Sequence, residues 1–358
     1  GENRVAITPQ VAKSLIQMGN EVLVESGAGL GSHFSNELYT EVGASIVDRK
    51  EIKESAMFVQ INMPDEAMAK TLPKGSLWVS LMYHRSNTAL LGAFNAEGVS
   101  VLSLDAIPRI SRAQSMDALT SQALCAGYRA SLVAAEISPR FFPMLMTAAG
   151  TVTPAQVVVL GAGVAGLQAI ATARRLGAVV SAYDVRPSSA DEVKSMGATF
   201  IDLQLEALEG AGGYAREMSE DRAAKQRELL KPHIAKSHVL ITTAAVPGRP
   251  APRLVTADMY SQMSEGSVIV DLAAESGGNV EGSVAGEVVT TKNGVKIWGG
   301  KDVPSQLPFH ASSLYARNVV NLLMLMVKDG VASPDFSDEI IAASAVTHGG
   351  AIREGMVK

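Results

Sequence analysis

Short apolar runs alternate with amphipathic stretches along the first third of the chain. Glu21-Val22-Leu23-Val24-Glu25, Ser45-Ile46-Val47, Met57-Phe58-Val59-Gln60-Ile61, Ser76-Leu77-Trp78-Val79-Ser80 and Val99-Ser100-Val101-Leu102-Ser103 read as strands. Residues 9–18 and 89–96 read as helices between them. Strands and helices in alternation predict a parallel sheet covered on both faces. Residues 115–136, rich in alanine and leucine, predict one long helix able to cross from one domain to another, with Pro139 and Pro143 ending it. Strands return at residues 178–183, 237–242, 267–271 and 295–298, and a second helix, 311–327, leads back to the first part. The pattern predicts an α/β chain of two Rossmann-like, doubly wound domains separated by a cleft. One is discontinuous, 1–118 plus 310–358; the other is 119–309. The tail, 338–352, reads as a short β excursion.

The richest stretch is Val157-Val158-Val159-Leu160 running into Gly161-Ala162-Gly163-Val164-Ala165-Gly166, followed by a helix-compatible run to Gly177 and a strand ending in Asp184. Strand, G-x-G-x-x-G turn, helix and acid in this register predict a dinucleotide site. Gly161 permits the tight turn, Gly163 lets backbone approach a pyrophosphate, and Gly166 lets the helix pack close. The helix N-terminus offers amides and a partial positive charge to phosphates. Asp184 is placed to accept from the adenosine ribose, which favours NAD(H) over NADP(H). Arg186, two residues on, pulls the other way, because an arginine there can serve a 2′-phosphate. A second glycine run, Gly27-Ala28-Gly29-Leu30-Gly31-Ser32, follows a strand, but Ser32 holds the third glycine position and no amphipathic helix follows. It reads as a structural turn.

The chain has 358 residues, room for two domains, with 47% hydrophobic and 19% charged residues. A net charge of −5 gives no electrostatic reason to expect nucleic acid. The single cysteine, Cys125, excludes an internal disulfide and reads as core. The apolar run at 319–327 is too short to span a bilayer, so the chain is expected to be soluble by itself while free to dock on a membrane partner.

The densest polar cluster runs from Pro108 to Gln122, at the expected domain junction, where ligands commonly sit. Gln114 and Asp117 are three apart and share a face if the helix has begun. A glutamine can hold a carboxamide, and an arginine of this segment, anchored by Asp117, can point at a nicotinamide. The plainer alternative is a helix cap, with Ser115 and Asp117 at the start of the long helix. A glycine-dense segment with Tyr214 lies between residues 208 and 230, either a lid closing over a nicotinamide or an exposed insertion. The six histidines show no metal spacing and there is no G-x-S-x-G elbow. The residues thus offer a hydride-carrier site without an evident acid–base pair.

Arg109-Ile110-Ser111-Arg112-Ala113-Gln114-Ser115-Met116-Asp117, with Ala126-Gly127-Tyr128-Arg129-Ala130, closely resembles the NAD(H)-binding component (domain I, the alpha subunit) of proton-translocating nicotinamide nucleotide transhydrogenase. So do Thr147 to Val152, Gly161 to Gly166, Gly212-Gly213-Tyr214-Ala215, Thr242 to Gly248 and Val270-Asp271-Leu272-Ala273. Arg4-Val5-Ala6-Ile7-Thr8-Pro9 is shared with the related alanine dehydrogenases, and Gly1 reads as a truncated start. The resemblance implies direct hydride exchange with NADP(H) held on a separate domain, coupled by a membrane domain to proton movement. It implies that Arg109, Gln114 and Asp117 orient the nicotinamide, that Thr120 keeps a hydroxyl the family usually carries as serine, and that Tyr214 belongs to a mobile lid. It implies coenzyme contacts at Gly161, Gly163, Val164, Ala165, Gly166, Asp184, Val185, Arg186, Thr243 and Ala244. A homodimer and a peripheral place on the cytoplasmic face of a bacterial inner membrane, or the mitochondrial matrix side, follow from the same resemblance.

The rival is an alanine-type amino-acid dehydrogenase. It would use Arg4 for a substrate carboxylate together with a lysine and a histidine. Gln60 and Asn62 stand where that lysine is expected, His84 is the ambiguous histidine, and Glu275 stands near the place of an aspartate. A non-enzymatic NADH-binding module is the third reading.

Overall fold

The computed structural model describes the chain apart from residues 53, 84–86, 206–218, 246–248, 329 and 354–358. Tyr214 and His84 therefore lie outside the described residues. The chain forms two compact units, Gly1–Gln122 with Ser305–Lys358, and Ala123–Pro304.

In the first unit the chain runs α1 (Pro9–Gln17), β1 (Leu23–Glu25), α2 (Asn36–Thr40), β2 (Ser45–Val47), α3 (Arg49–Ile52), β3 (Met57–Asn62), α4 (Glu66–Ala69), β4 (Leu77–Leu81), α5 (Thr88–Ala96) and β5 (Ser100–Ser103). Helix α6 (Ala118–Ile137) then carries the chain across the division between units. In the second unit follow β6 (Leu145–Thr147), β7 (Gly150–Val152), β8 (Gln156–Leu160), α7 (Val164–Arg175), β9 (Val179–Tyr183), α8 (Ser189–Ser195), β10 (Thr199–Phe200) and α9 (Glu220–Ala235). After them come β11 (Val239–Thr242), α10 (Ala257–Tyr260), β12 (Val268–Asp271), β13 (Val288–Thr290) and β14 (Lys296–Gly299). The return to the first unit adds α11 (Pro308–Leu323), β15 (Val327–Lys328), β16 (Val331–Ala332), α12 (Glu339–Ser344), β17 (Ala345–His348) and β18 (Ala351–Ile352).

The second unit is built on a seven-stranded sheet ordered β10-β9-β8-β11-β12-β14-β13. All its pairings are parallel except the β13 edge. Val157, Val159, Val239, Ile241, Val268 and Val270 point to one buried face and Val158, Leu160, Leu240 and Ile269 to the other. Burial on both faces explains why these strands read as unbroken apolar runs. The chain builds outward from β8 through β9 to β10, then crosses to β11 on the opposite side, which creates a switch point between β8 and β11. The register aligns Leu160 with Tyr183 and Thr242, and Thr242 with Asp271. The carboxyl ends of four strands therefore come level.

The first unit holds a five-stranded sheet, β18-β17-β5-β4-β3, parallel through β5-β4-β3. Trp78 fills one face, its ring 6.0 Å from Phe58 and 5.6 Å from Phe94, with its indole N–H donating to Ser80 Oγ at 2.9 Å. Such placement satisfies the polar end of a buried aromatic.

The α/β class with parallel sheets stands as the pattern predicted, and Cys125 is buried. Some details differ. The strands expected at residues 21–25 and 45–47 form a separate two-stranded sheet. The tail 338–352 is not purely β: Asp338 Oδ1 accepts from the Ile340 and Ile341 amides and starts α12 before β17 pairs antiparallel with β5. The returning helix ends at Leu323 rather than 327. The long helix starts at Ala118 rather than 115, because Ser111–Met116 form a 3-10 turn.

Candidate functional site

Gly161 leaves β8 with φ +99°, and a Cβ there would stand 2.6 Å from Thr243 Oγ1, so only glycine fits. A Cβ on Gly166 would meet the Gly161 carbonyl oxygen, which lets α7 press against the turn that precedes it. Around Gly163, in contrast, a Cβ would touch nothing within 4 Å. Gly163 is the N-cap of α7 and no side chain caps the helix there. First-turn amides without a side-chain acceptor, beside open space, suit an anionic group such as a pyrophosphate. Gly163 and Val164 are exposed and Ala165 half-buried.

Thr243 and Ala244 follow β11 beside this turn. The Thr243 amide donates to the Leu160 carbonyl at 2.9 Å and its hydroxyl to the Gly161 carbonyl at 3.0 Å. The Ala244 carbonyl accepts from Asn279 Nδ2 at 2.8 Å. Asp184 follows β9, with its Oδ2 accepting from the Ala162 amide at 2.7 Å and its Oδ1 from the Arg186 amide at 2.9 Å. The Arg186 guanidinium forks onto the same carboxylate, Nε to Oδ1 at 2.9 Å and Nη2 to Oδ2 at 3.1 Å. Val185 packs on the core cluster around Leu160 and Tyr183. Burial pushes the Tyr183 phenol up from its ordinary range. The structure thus gathers Gly161, Gly163, Val164, Ala165, Gly166, Asp184, Val185, Arg186, Thr243 and Ala244 in the second unit, around the strand ends at the switch point.

Arg109, Gln114, Asp117 and Thr120 belong to the first unit. Arg109, Gln114 and Thr120 are exposed and Asp117 half-buried. Gln114 and Asp117 do not share a helical face, because the helix has not begun at either; Gln114 sits in the 3-10 turn. Asp117 caps α6, accepting from the Thr120 amide at 2.9 Å and the Thr120 hydroxyl at 2.7 Å. The turn is pinned from α11, where Asn318 and Asn321 both donate to the Ser115 carbonyl, at 2.8 and 3.1 Å. Arg112 ties it to Asp338 at 2.8 Å.

Two residues make contacts that the sequence pattern did not specify. Asp271, at the end of β12, is fully buried. It accepts from Thr242 Oγ1 (3.1 Å) and from the amides of Ala273 (3.0 Å), Asn279 (3.3 Å) and Val280 (3.1 Å). It thereby fixes the loop whose Asn279 holds Ala244. A lone acid closing an apolar strand was the available signal. The second is Arg4, 9% exposed, which forks onto Glu2 at 2.9 and 2.7 Å and donates to Gln122 at 2.8 Å. Asn62 donates to the same Glu2 at 2.8 Å. Glu275 accepts from the Asp302 amide at 3.0 Å. No group of histidine, cysteine and acidic side chains suited to a metal occurs among the described residues, nor a helix long and apolar enough to cross a membrane.

Residues 1–126 match the family model for the alanine dehydrogenase/PNT N-terminal domain and residues 130–355 that for the C-terminal domain. The chain is 44% identical over 352 residues to the NAD(P) transhydrogenase subunit alpha of Haemophilus influenzae, covering 98% of this chain and 69% of that one. A solved transhydrogenase structure from Sinorhizobium meliloti superposes with a TM-score of 0.86 at 42% identity, covering 98% and 95% of the two chains. Alanine dehydrogenase of Bacillus subtilis is 30% identical over 329 residues, 89% of this chain and 80% of that one.

Proposed function

The chain belongs to the alanine dehydrogenase/PNT family and, within it, to the alpha subunits of NAD(P) transhydrogenase; from that premise we propose that it binds NAD(H) and exchanges hydride directly with NADP(H) held on a partner domain. In the full complex this exchange is coupled to proton translocation through a membrane domain, and the chain works as a homodimer on the cytoplasmic or matrix face. One observation carries the coenzyme reading: an uncapped helix N-terminus at Gly163, open to solvent, beside a carboxylate that the Ala162 and Arg186 amides hold in place.

The residues present fit the coenzyme. Gly161 and Gly166 let the turn and α7 close up, Gly163 to Ala165 receive the pyrophosphate, and Asp184 receives the adenosine ribose. Thr243 and Ala244 border the turn, and Val185 lines the adenosine side. Bound NAD(H) supplies or accepts the hydride at its nicotinamide ring. Arg109, Gln114 and Asp117 orient that ring and Thr120 fixes Asp117; Tyr214, outside the described residues, joins this group by the resemblance alone. Transfer between two nicotinamide rings requires no general acid or base from the chain; it requires apposition and exclusion of water.

The test is to mix the purified chain with a purified NADP(H)-binding partner and follow reduction of acetylpyridine NAD by NADPH. Turnover that needs both proteins is expected. No turnover with the partner present, under conditions where both coenzymes bind, overturns the proposal.

A further inference from the structure

The Asp184 carboxylate has about four lone-pair positions, and four donors already fill them. Two are backbone amides, Ala162 to Oδ2 and Arg186 to Oδ1, which the fold fixes. The other two come from one movable guanidinium, Arg186 Nε and Nη2. Arg186 Nη2 also reaches the Ala162 carbonyl at 3.4 Å. The side chains of Asp184 and Arg186 are 8% and 20% exposed. A vicinal diol needs two acceptor positions on this carboxylate, and the guanidinium occupies them. We propose that Arg186 is an internal competitor for the adenosine ribose: its fork closes the carboxylate in the coenzyme-free protein, and NAD(H) binds by displacing it. This rests on the reading of Asp184 as the ribose acceptor.

The guanidinium is not required to aim Asp184, because both amides remain when the side chain is removed. Its loss therefore frees acceptors without disturbing the carboxylate. Removing a competitor raises affinity, opposite to the usual effect of deleting an arginine from an anion-binding site. The gain applies to ligands that carry the adenosine ribose and not to those without it. A charge-assisted fork that is partly buried is worth enough to shift affinity by about three- to tenfold.

The experiment measures dissociation constants of the full chain for NADH, ADP-ribose and reduced nicotinamide mononucleotide in wild type, Arg186→Ala, Asp184→Asn and the double variant. Arg186→Ala is expected to tighten NADH and ADP-ribose by about three- to tenfold and to leave the mononucleotide unchanged. Arg186→Lys, a cation without the fork, is expected to fall between. In the Asp184→Asn background the Arg186→Ala gain should vanish. If Asp184→Asn weakens NADH while Arg186→Ala leaves it unchanged or weaker, the competitor role is overturned and the ribose assignment stands. If Asp184→Asn has no effect on NADH, the ribose assignment itself falls, and the competitor role with it.

Discussion

Glu2 shows what a single pairing does in this chain. Burial alone would raise its carboxyl pKa, but the Arg4 guanidinium, through hydrogen bonds and charge, outweighs burial and brings it down to about 2. A carboxyl depressed in the folded state stabilises above its unfolded pKa, and that stability is lost as pH falls through the folded value. Glu2 is partly exposed, so solvent screens much of this, and wild type is expected to exceed Glu2→Gln by on the order of 1 kcal/mol at neutral pH. The gap should close between about pH 4.5 and 2, as read by urea unfolding at each pH. Gln114 acts on a different quantity. It is exposed in a turn pinned at Ser115 by two asparagines, so shortening it disturbs little of the packing. Gln114→Asn is expected to slow single-turnover hydride transfer by tenfold or more, roughly, while NADH affinity changes less than about twofold. A wild-type transfer rate would remove Gln114 from the orienting group.

Helices α6 and α7 approach closely where they cross. Gly127 is buried, and a Cβ there would run into the Ala165 carbonyl group. Four residues on, Ser131 Oγ donates to the Ala169 carbonyl at 2.8 Å, and Ala130, Ala134, Ala169 and Ala173 complete a face of small side chains. Gly127→Ala is expected to destabilise the chain by about 1–3 kcal/mol despite alanine's better helix propensity, because backbone cannot yield as a side chain end can. Since Ala165 sits in the first turn of α7, NADH binding should weaken in the same variant. Urea unfolding and fluorescence titration check the two effects. The α6 run announced itself through composition, but not its start, because Asp117, two residues beyond the place where the pattern begins, caps the helix with its side chain. The G-x-G-x-x-G turn was legible because a local backbone problem demands glycine. The Asp271 loop was not, because its meaning depends on Thr242 and Asn279 arriving from other strands and loops.

For the molecule as a whole, alternating strands and helices gave the α/β class, since period and punctuation are local properties. The edge strand β13 gave no comparable signal, and β17 and β18 read only as a β excursion of the tail without a direction, because pairing direction is decided by partners far away in the chain. The Arg4–Gln122 contact spans 118 positions and is equally invisible to a window of sequence. That contact bears on activity. Arg4 is engaged by Glu2 and Gln122, and Asn62, where a dehydrogenase of the alanine type is expected to carry lysine, donates to Glu2 instead. The chain alone is expected to turn over neither alanine with NAD⁺ nor pyruvate with NADH and ammonia. Absorbance of NADH at high enzyme concentration checks this.

Helix α6 has its first residues in one compact unit and the rest in the other, divided between Gln122 and Ala123. Its i→i−4 ladder is continuous across that seam, so melting on one side strips partners from amides on the other. Hydrogen–deuterium exchange along this helix should therefore report on both halves at once. A protease nick near residue 122 would leave each product with a frayed stump rather than a clean end.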